Sequence, residues 1–412
     1  MTTAKAQAST QGVPLARSSP TASNPRLRGK SFDNLSALTE SADALFEAGF
    51  RRSIFLSRPW FQNLIQTSFP DGDRVRIFMV EDPAVPGAPV LLLPASHGRS
   101  ILLKPRTLSS LTNFYSPLFE PLIAANCDPR WALEKLAETI AADSPSWDVL
   151  NLRWLNNNSP LFEHFAGALR SAGFIVQTYF CSGNWFEPVA GRSYEEYLRD
   201  LRSSVRNIAR SKARKIERSG RVRLEIVSAG DALGDAIGAY ERIYNSSWKT
   251  PEPFPEFMPG LLRAFAKEGW LRLGLAYVDE EPAAAQVWFV ANEVASIYKI
   301  AYDRKFKDLS VGSYLTMHML REAIDVEKVR EIDYLTGDDQ YKRDWMSQRR
   351  ERWGILAMNP RTPKGAAAVV RHVGGRFAKR AIQRLVNSLR AGTAPHARTP
   401  VSKQGVNSLK ED

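Results

Sequence analysis

The sequence predicts an α/β protein, a mixed sheet flanked by helices. Three observations lead there. Strand-like and helix-like segments alternate through residues 50–190. Three strand-like runs follow one another between Trp270 and Tyr302, separated only by short polar turns, which is the pattern of an antiparallel meander. A helix-like segment and another buried strand come directly after it.

In the first half, residues 33–50 are weakly helical, and Ser57-Arg58-Pro59-Trp60 reads as a helix start, with Pro where a missing N–H costs nothing. Val75 to Val80 and Val90 to Pro94 read as strands around a Pro/Gly turn. Pro129 to Ala142 carries Trp131, Leu133, Leu136 and Ile140 at helical spacing. Val149 to Leu152 is a buried strand, and Leu161 to Ala172 a helix ended by Gly173.

In the second half, Tyr194 to Ser219 reads as one helix ended at Gly220. Arg199, Arg202, Arg206 and Arg210 form a stripe along it. A strand at Val222–Val227 and helices at about 232–248 and 256–268 come next. The meander strands are Trp270–Val278, Ala283–Val290 and Ala295–Tyr302, turning at Glu280-Glu281-Pro282 and Asn292-Glu293. A loop from Asp303 to Ser310 leads to a helix from Val311 to about Val326. Strands at Glu331–Leu335 and Trp353–Met358 close the series. Ala366 to Leu389 is a basic amphipathic helix candidate that Gly374-Gly375 weakens.

The composition is that of a soluble globular chain, with 44% hydrophobic and 24% charged residues in 412. Two cysteines far apart in sequence suit a reducing compartment and exclude a disulfide framework or a Cys-rich zinc site. No run is apolar enough to span a membrane, and the first residues lack the apolar core of a secretory signal, so the expected location is the cytoplasm. The net charge of +12 lies in the tails. Residues 1–32, basic, acid-free and rich in Ser, Thr and Ala, read as a disordered leader, a composition that a transit peptide shares. Residues 361–412 hold eleven Lys or Arg against two acids. Such a tail suits peripheral contact with an anionic membrane and equally suits a solvated tail.

Four stretches carry a family resemblance. They are the basic helix YEEYLRDLRSSVRNIARSKARKIERSG, the meander ending in SIYKIAYD, the run LSVGSYLTMHMLREAI and the segment EIDYLTGDDQYKRDW. In order and spacing, residues from about 193 to 350 resemble the GNAT superfamily of acyltransferases, in its FemAB-like (BioF2-like) branch, which includes polysaccharide-biosynthesis proteins of the CelD type, and the domain is expected over 193–360. The resemblance implies a GNAT-type mixed sheet flanked by helices, with residues 50–190 as a second, degenerate copy, so two tandem GNAT-like domains. It implies acetyl-CoA or another acyl-CoA as donor substrate, and no metal. It also implies an amino acceptor, with an amino sugar of envelope or exopolysaccharide synthesis as the leading class. The family's pyrophosphate loop aligns with Lys307-Asp308-Leu309-Ser310-Val311-Gly312, where Ser310 replaces the first glycine. That departure leaves aminoacyl-tRNA open as donor, as in some members of the branch. A binding module that kept the fold without catalysis is the third alternative.

A helix N-terminus offers unpaired N–H groups and partial positive charge, so Val311, Gly312, Ser313 and Tyr314 are expected to hold the donor's phosphates. The resemblance places Ile300 and Tyr302 against the donor's pantetheine. Asp333, Asp338, Asp339, Tyr341 and Lys342 cluster after a buried strand. Acylation of an amine needs a proton acceptor and a donor for the leaving group. An Asp, Asp333 among them, or a water chain is the expected base and Tyr341 the acid. Lys342 is expected to hold the acyl carbonyl or a phosphate. Arg202, Arg206 and Trp248 are candidates for an anionic or sugar acceptor. No Ser-His-Asp or Cys-His set stands out, which favours direct attack on a bound thioester.

Overall fold

The computed structural model describes residues 27–35, 38, 40–69, 75–84, 89–98 and 101–374. Their order is β1 (Arg28–Phe32), α1 (Asp43–Arg52), α2 (Arg58–Ser68), β2 (Val75–Glu81), β3 (Pro89–His97), β4 (Thr107–Ser110), β5 (Leu122–Ile123), α3 (Pro129–Ala141), β6 (Val149–Asn156), α4 (Pro160–Ser171) and β7 (Ile175–Pro188). Then come α5 (Tyr194–Asp200), α6 (Ser203–Ser219), β8 (Val222–Val227), α7 (Leu233–Asn245), α8 (Phe257–Lys267), β9 (Leu271–Val278), β10 (Glu281–Ala291), β11 (Val294–Tyr302), α9 (Val311–Arg321), β12 (Glu331–Thr336), α10 (Gln340–Trp345), β13 (Gln348–Met358) and α11 (Pro363–Val369).

Local chemistry sets many of these bounds. Ser57, Asp128 and Ser159 cap α2, α3 and α4 by accepting from backbone N–H groups, each with Pro in the first turn. The meander turns at Asp279-Glu280 and Asn292-Glu293, and all four residues take positive φ, which matches the twist of a two-residue hairpin.

The strands form one mixed sheet in the order β1-β2-β3-β4-β6-β13-β7-β12-β11-β10-β9-β8. The two halves repeat a plan. Each has an antiparallel meander whose last strand pairs in parallel, for three residues, with a strand beyond a helix: β4 with β6, and β11 with β12. The closing strands are exchanged, since β7 pairs with β12 and β13 pairs with β6. Together β7 and β13 form the centre, paired from Phe186–Gln348 to Ile175–Met358.

Side chains of both halves share a core. The Trp60 ring meets Phe257 and Tyr298 edge to face, and Tyr115 stacks on Phe257 at 4.1 Å. Asn63 Nδ2 donates to the Phe257 carbonyl at 3.1 Å, a buried bond between α2 and α8.

Two expectations are corrected, one strand is added, and one helix candidate is described only at its start. Arg28–Phe32, placed in a leader, is an edge strand on β2; residues 1–26 lie outside the described residues. The 14-residue central strand β7 was not anticipated. The helix expected over Tyr194–Ser219 breaks at Leu201-Arg202, both extended, giving α5 and α6. The basic helix candidate begins as α11 and a turn at Val370–Gly374, and its remainder lies outside the described residues. No helix among the described residues is long and apolar enough to cross a membrane.

Trp60 is 1% exposed and touches the ring of Phe55 in the first half and those of Phe257 and Tyr298 in the second. Trp60→Ala is expected to cost about 3–5 kcal/mol, measured by urea unfolding, with both halves losing structure in one transition.

Candidate active site

The site begins where β11 leaves β12. The two strands pair over Val294–Ser296 and then part. Against β10, Val287 pairs with Lys299 and Trp288 with Ile297, so Tyr298 is the extra residue of a bulge that bends β11. Across the gap, Leu335 takes φ +55°, and the β12–β7 register shifts between Asp333 and Thr336. From Ile297 to Tyr302, β11 presents an edge that β12 does not pair.

A cavity of about 360 Å³ lies along that edge. Ile300 and Tyr302 line one side, Tyr334, Tyr341 and Trp345 the other, and Ser310–Ser313 the end. The cavity thus ends on the first turn of α9, where the Ser313 and Tyr314 N–H groups bond back to the Ser310 carbonyl and those of Val311 and Gly312 lead without a partner within the helix. Gln286 pins this turn: Nε2 donates to the Gly312 carbonyl at 3.0 Å and to Thr316 Oγ1 at 2.7 Å, while Oε1 accepts from Trp288 Nε1 at 2.9 Å. Lys212 of α6 and Lys307 add positive charge at the same end. Trp248 packs on the Tyr302 ring at 4.5 Å. A Cβ on Gly312 would make its nearest contact with Tyr302, at an ordinary 3.5 Å, and the residue lines the cavity.

Ser310 has φ +58°, the left-handed region that glycine favours. Ser310 thus takes a backbone conformation open to glycine at the position where the resembled loop carries its first Gly. Its side chain makes no capping bond to α9.

A second cavity, about 240 Å³, continues from the first and shares Ile300, Tyr334 and Tyr341 with it. Phe114, Tyr115 and Pro117 of the first half close it, and Lys249, Lys299, Asp339 and Lys342 line it. Lys299 Nζ pairs with Glu252 at 2.9 Å, and the other Glu252 oxygen accepts from Tyr115 at 2.5 Å. Burial lowers the pKa of Lys249, and nearby Lys299 lowers it further. Burial raises that of Tyr341, with Asp339 adding to the effect, so this phenol stays protonated at neutral pH.

Residues 203–343 match the family model of the acetyltransferase (GNAT) domain. The chain carries a GNAT-type domain there. No curated protein sequence matches the chain. Among solved structures, FemX is similar over 79% of this chain and 96% of its own, with a TM-score of 0.55 and 10% identity. A conserved protein of unknown function from Bacteroides thetaiotaomicron is similar over 78% and 98%, with a TM-score of 0.51 and 11% identity. At these identities the likeness is one of fold, and it runs through both halves.

The anticipated residues divide. Ile300, Tyr302, Val311, Gly312, Ser313, Trp248 and Tyr341 line the first cavity. Tyr314 does not line it and sits instead within the electrostatic reach of Glu217 on α6. Asp333 is on the opposite face of β12, because side chains alternate along a strand. There it accepts from Asn184 at 2.5 Å and the Leu335 N–H at 2.7 Å, and pairs with Arg350 at 2.5 Å. So placed, it cannot serve as the base in this channel. Lys342 is buried and spends its ammonium on the Tyr334 carbonyl at 3.0 Å and the Thr336 carbonyl. It fixes the end of β12 and is not free to hold an acyl group. Arg206 donates to the carbonyls of Arg199 and Leu201, bracing the α5–α6 break, and neither it nor Arg202 lines either cavity.

Lys212, Gln286, Lys249, Lys299, Glu252 and Tyr115 were not anticipated. Gln286 had a signal, a polar residue inside the apolar run Ala283–Val290; the others meet only in space. Among the described residues, no group of three His, Cys, Asp or Glu could hold a metal ion.

Ser310→Gly is expected to raise stability by about 1 kcal/mol by relieving the left-handed backbone, measured by urea unfolding. Asp333→Asn is expected to lower it by about 2–3 kcal/mol, since a charged hydrogen-bond acceptor is removed from buried partners, as the same titration would report.

Proposed function

We propose that the chain is an N-acyltransferase that passes an acyl group from acyl-CoA to an amino group, with an amino sugar as the acceptor class. One observation carries this reading: a channel runs from the first turn of α9, along the unpaired edge of β11, to Tyr341 and Asp339. Amides and lysines at one end suit a diphosphate. A free strand edge suits the amide groups of a pantetheine arm. An open second cavity suits the attacking amine.

In the step this geometry supports, the neutral amine nitrogen attacks the thioester carbon. A C–N bond forms and the C–S bond breaks. The amine's proton passes to Asp339, directly or through water, and the Tyr341 hydroxyl supplies a proton to the departing thiolate. The products are an amide and a free thiol. Positioning supplies most of the rate gain, and the acid contributes a smaller share.

A sugar acceptor draws support from a third cavity, about 580 Å³, that shares Phe114 with the second, together with Thr336. Ser109, Ser110, Thr112, Asn113 and Asn151 line it beside the Trp154 and Phe114 rings. Hydroxyl and amide groups next to aromatic faces match the surface of a saccharide. Aminoacyl-tRNA is the second reading for the donor. It draws on the exposed Arg214, Lys215 and Arg218 of α6, the helix that also sends Lys212 to the donor cavity.

Acetyl-CoA is expected to raise the melting temperature of the chain, and Gly312→Trp, which fills the donor cavity, to abolish that shift while the circular dichroism stays unchanged. With an amino-sugar acceptor, Tyr341→Phe is expected to lower kcat by about 100-fold with little change in KM for the donor, followed by thiol release. The absence of any shift at saturating acetyl-CoA, together with salt-sensitive transfer from aminoacyl-tRNA, would replace this reading with the second.

A further inference from the structure

One end of the sheet presents apolar side chains to solvent. The segment before β4 turns at Ile101–Lys104, closed by a bond from the Lys104 N–H to the Ile101 carbonyl. At its tip Leu102 is 87% exposed and Leu103 90%, with Ile101 half-exposed beside them. β4 starts opposite the start of β6, where Thr107 meets Val149. Val149 faces Met358 at the end of β13, and Met358 faces Ile175 at the start of β7. The turn, the exposed Ile175, α11 and the exposed Val370 after it therefore gather at one end. Lys364 Nζ on α11 donates to the Lys104 carbonyl at 3.1 Å, which ties the turn to this helix. Lys104, Arg361 and Arg371 are exposed around the same end.

From these observations we infer that this end of the sheet docks on an anionic lipid surface, with Leu102 and Leu103 entering the bilayer and the surrounding cations meeting its headgroups. A stable protein interface needs about 800 Å² from each partner, far more than a turn with two leucines offers. A lipid layer accepts a small wedge, because it closes around whatever enters it. Charge points the same way. The sequence after residue 374, outside the described residues, holds eight Lys or Arg against two acids, with Phe377, Ile382, Leu385 and Leu389 among them. An apolar tip and a cationic rim on one side supply the two signals that stable peripheral binding requires. The inference stands apart from the acyl-transfer reading.

Flotation of the full chain with phosphatidylcholine vesicles, with and without phosphatidylglycerol, tests it. Binding is expected only with the anionic lipid, and to weaken as salt rises. The double variant Leu102→Ser/Leu103→Ser is expected to lower partitioning at least about tenfold with an unchanged melting temperature. Undiminished binding by the double variant would overturn the proposal, as would no flotation with anionic vesicles at low salt. So would a wild-type dimer that the same two substitutions make monomeric in sedimentation, since that would assign the turn to a second copy of the chain.

Discussion

Two neighbouring strands pair for three residues and then part, and the candidate site follows from that separation. A sheet interior ordinarily satisfies every N–H and C=O, so an opening there exposes polar backbone that some other group must meet. Here the opening is built by a bulge at Tyr298 on one strand and a left-handed Leu335 on the other. It is held by Gln286, which fixes α9 to β10, and by Lys342, which fastens the carbonyls where β12 ends. The result is a slot with an amide-rich floor and a protonated phenol near its far end.

Behind the slot, on the other face of β12, charged groups are packed closely. Arg350 bridges Glu331 and Asp333, Arg52 pairs with Glu120, and Arg352 bonds to Asn184 with its Nε buried and unpartnered. Burial and the neighbouring Arg350 lower the Arg352 pKa to about 10. Such clusters seldom add net stability over apolar packing, but breaking one is costly. Their value here is positional. They join β12 to β7 and β13, and so hold one wall of the opening while the other bends away.

Much of this was legible in the sequence. Where a local rule acts alone, as at the Ser57-Arg58-Pro59 helix start and the Asn292-Glu293 turn, the position followed directly. Ser310 takes a left-handed backbone at the place where the motif's first glycine is missing, which the residue alone did not reveal. β7 escaped because a strand paired on both sides, carrying Cys-Ser-Gly-Asn at its middle, shows no apolar alternation. The break at Leu201-Arg202 escaped because apolar spacing continues across it. Asp333 was misassigned for want of strand parity, which puts it back to back with Tyr334. Lys249, Lys299, Glu252 and Tyr115 meet only through tertiary packing, and spacing carries no trace of that.

The exchanged closing strands bear on how the polypeptide is made. After Pro188 leaves the ribosome, the first half has all of its own segments, yet β6 still lacks the neighbour that Gln348–Met358 will supply. At ordinary elongation speeds that gap lasts roughly eight to thirty-five seconds. Through that interval the nascent half keeps an open hydrogen-bonding edge. Closure waits for β13, so a message cut short before residue 348 would yield a product with that edge permanently bare.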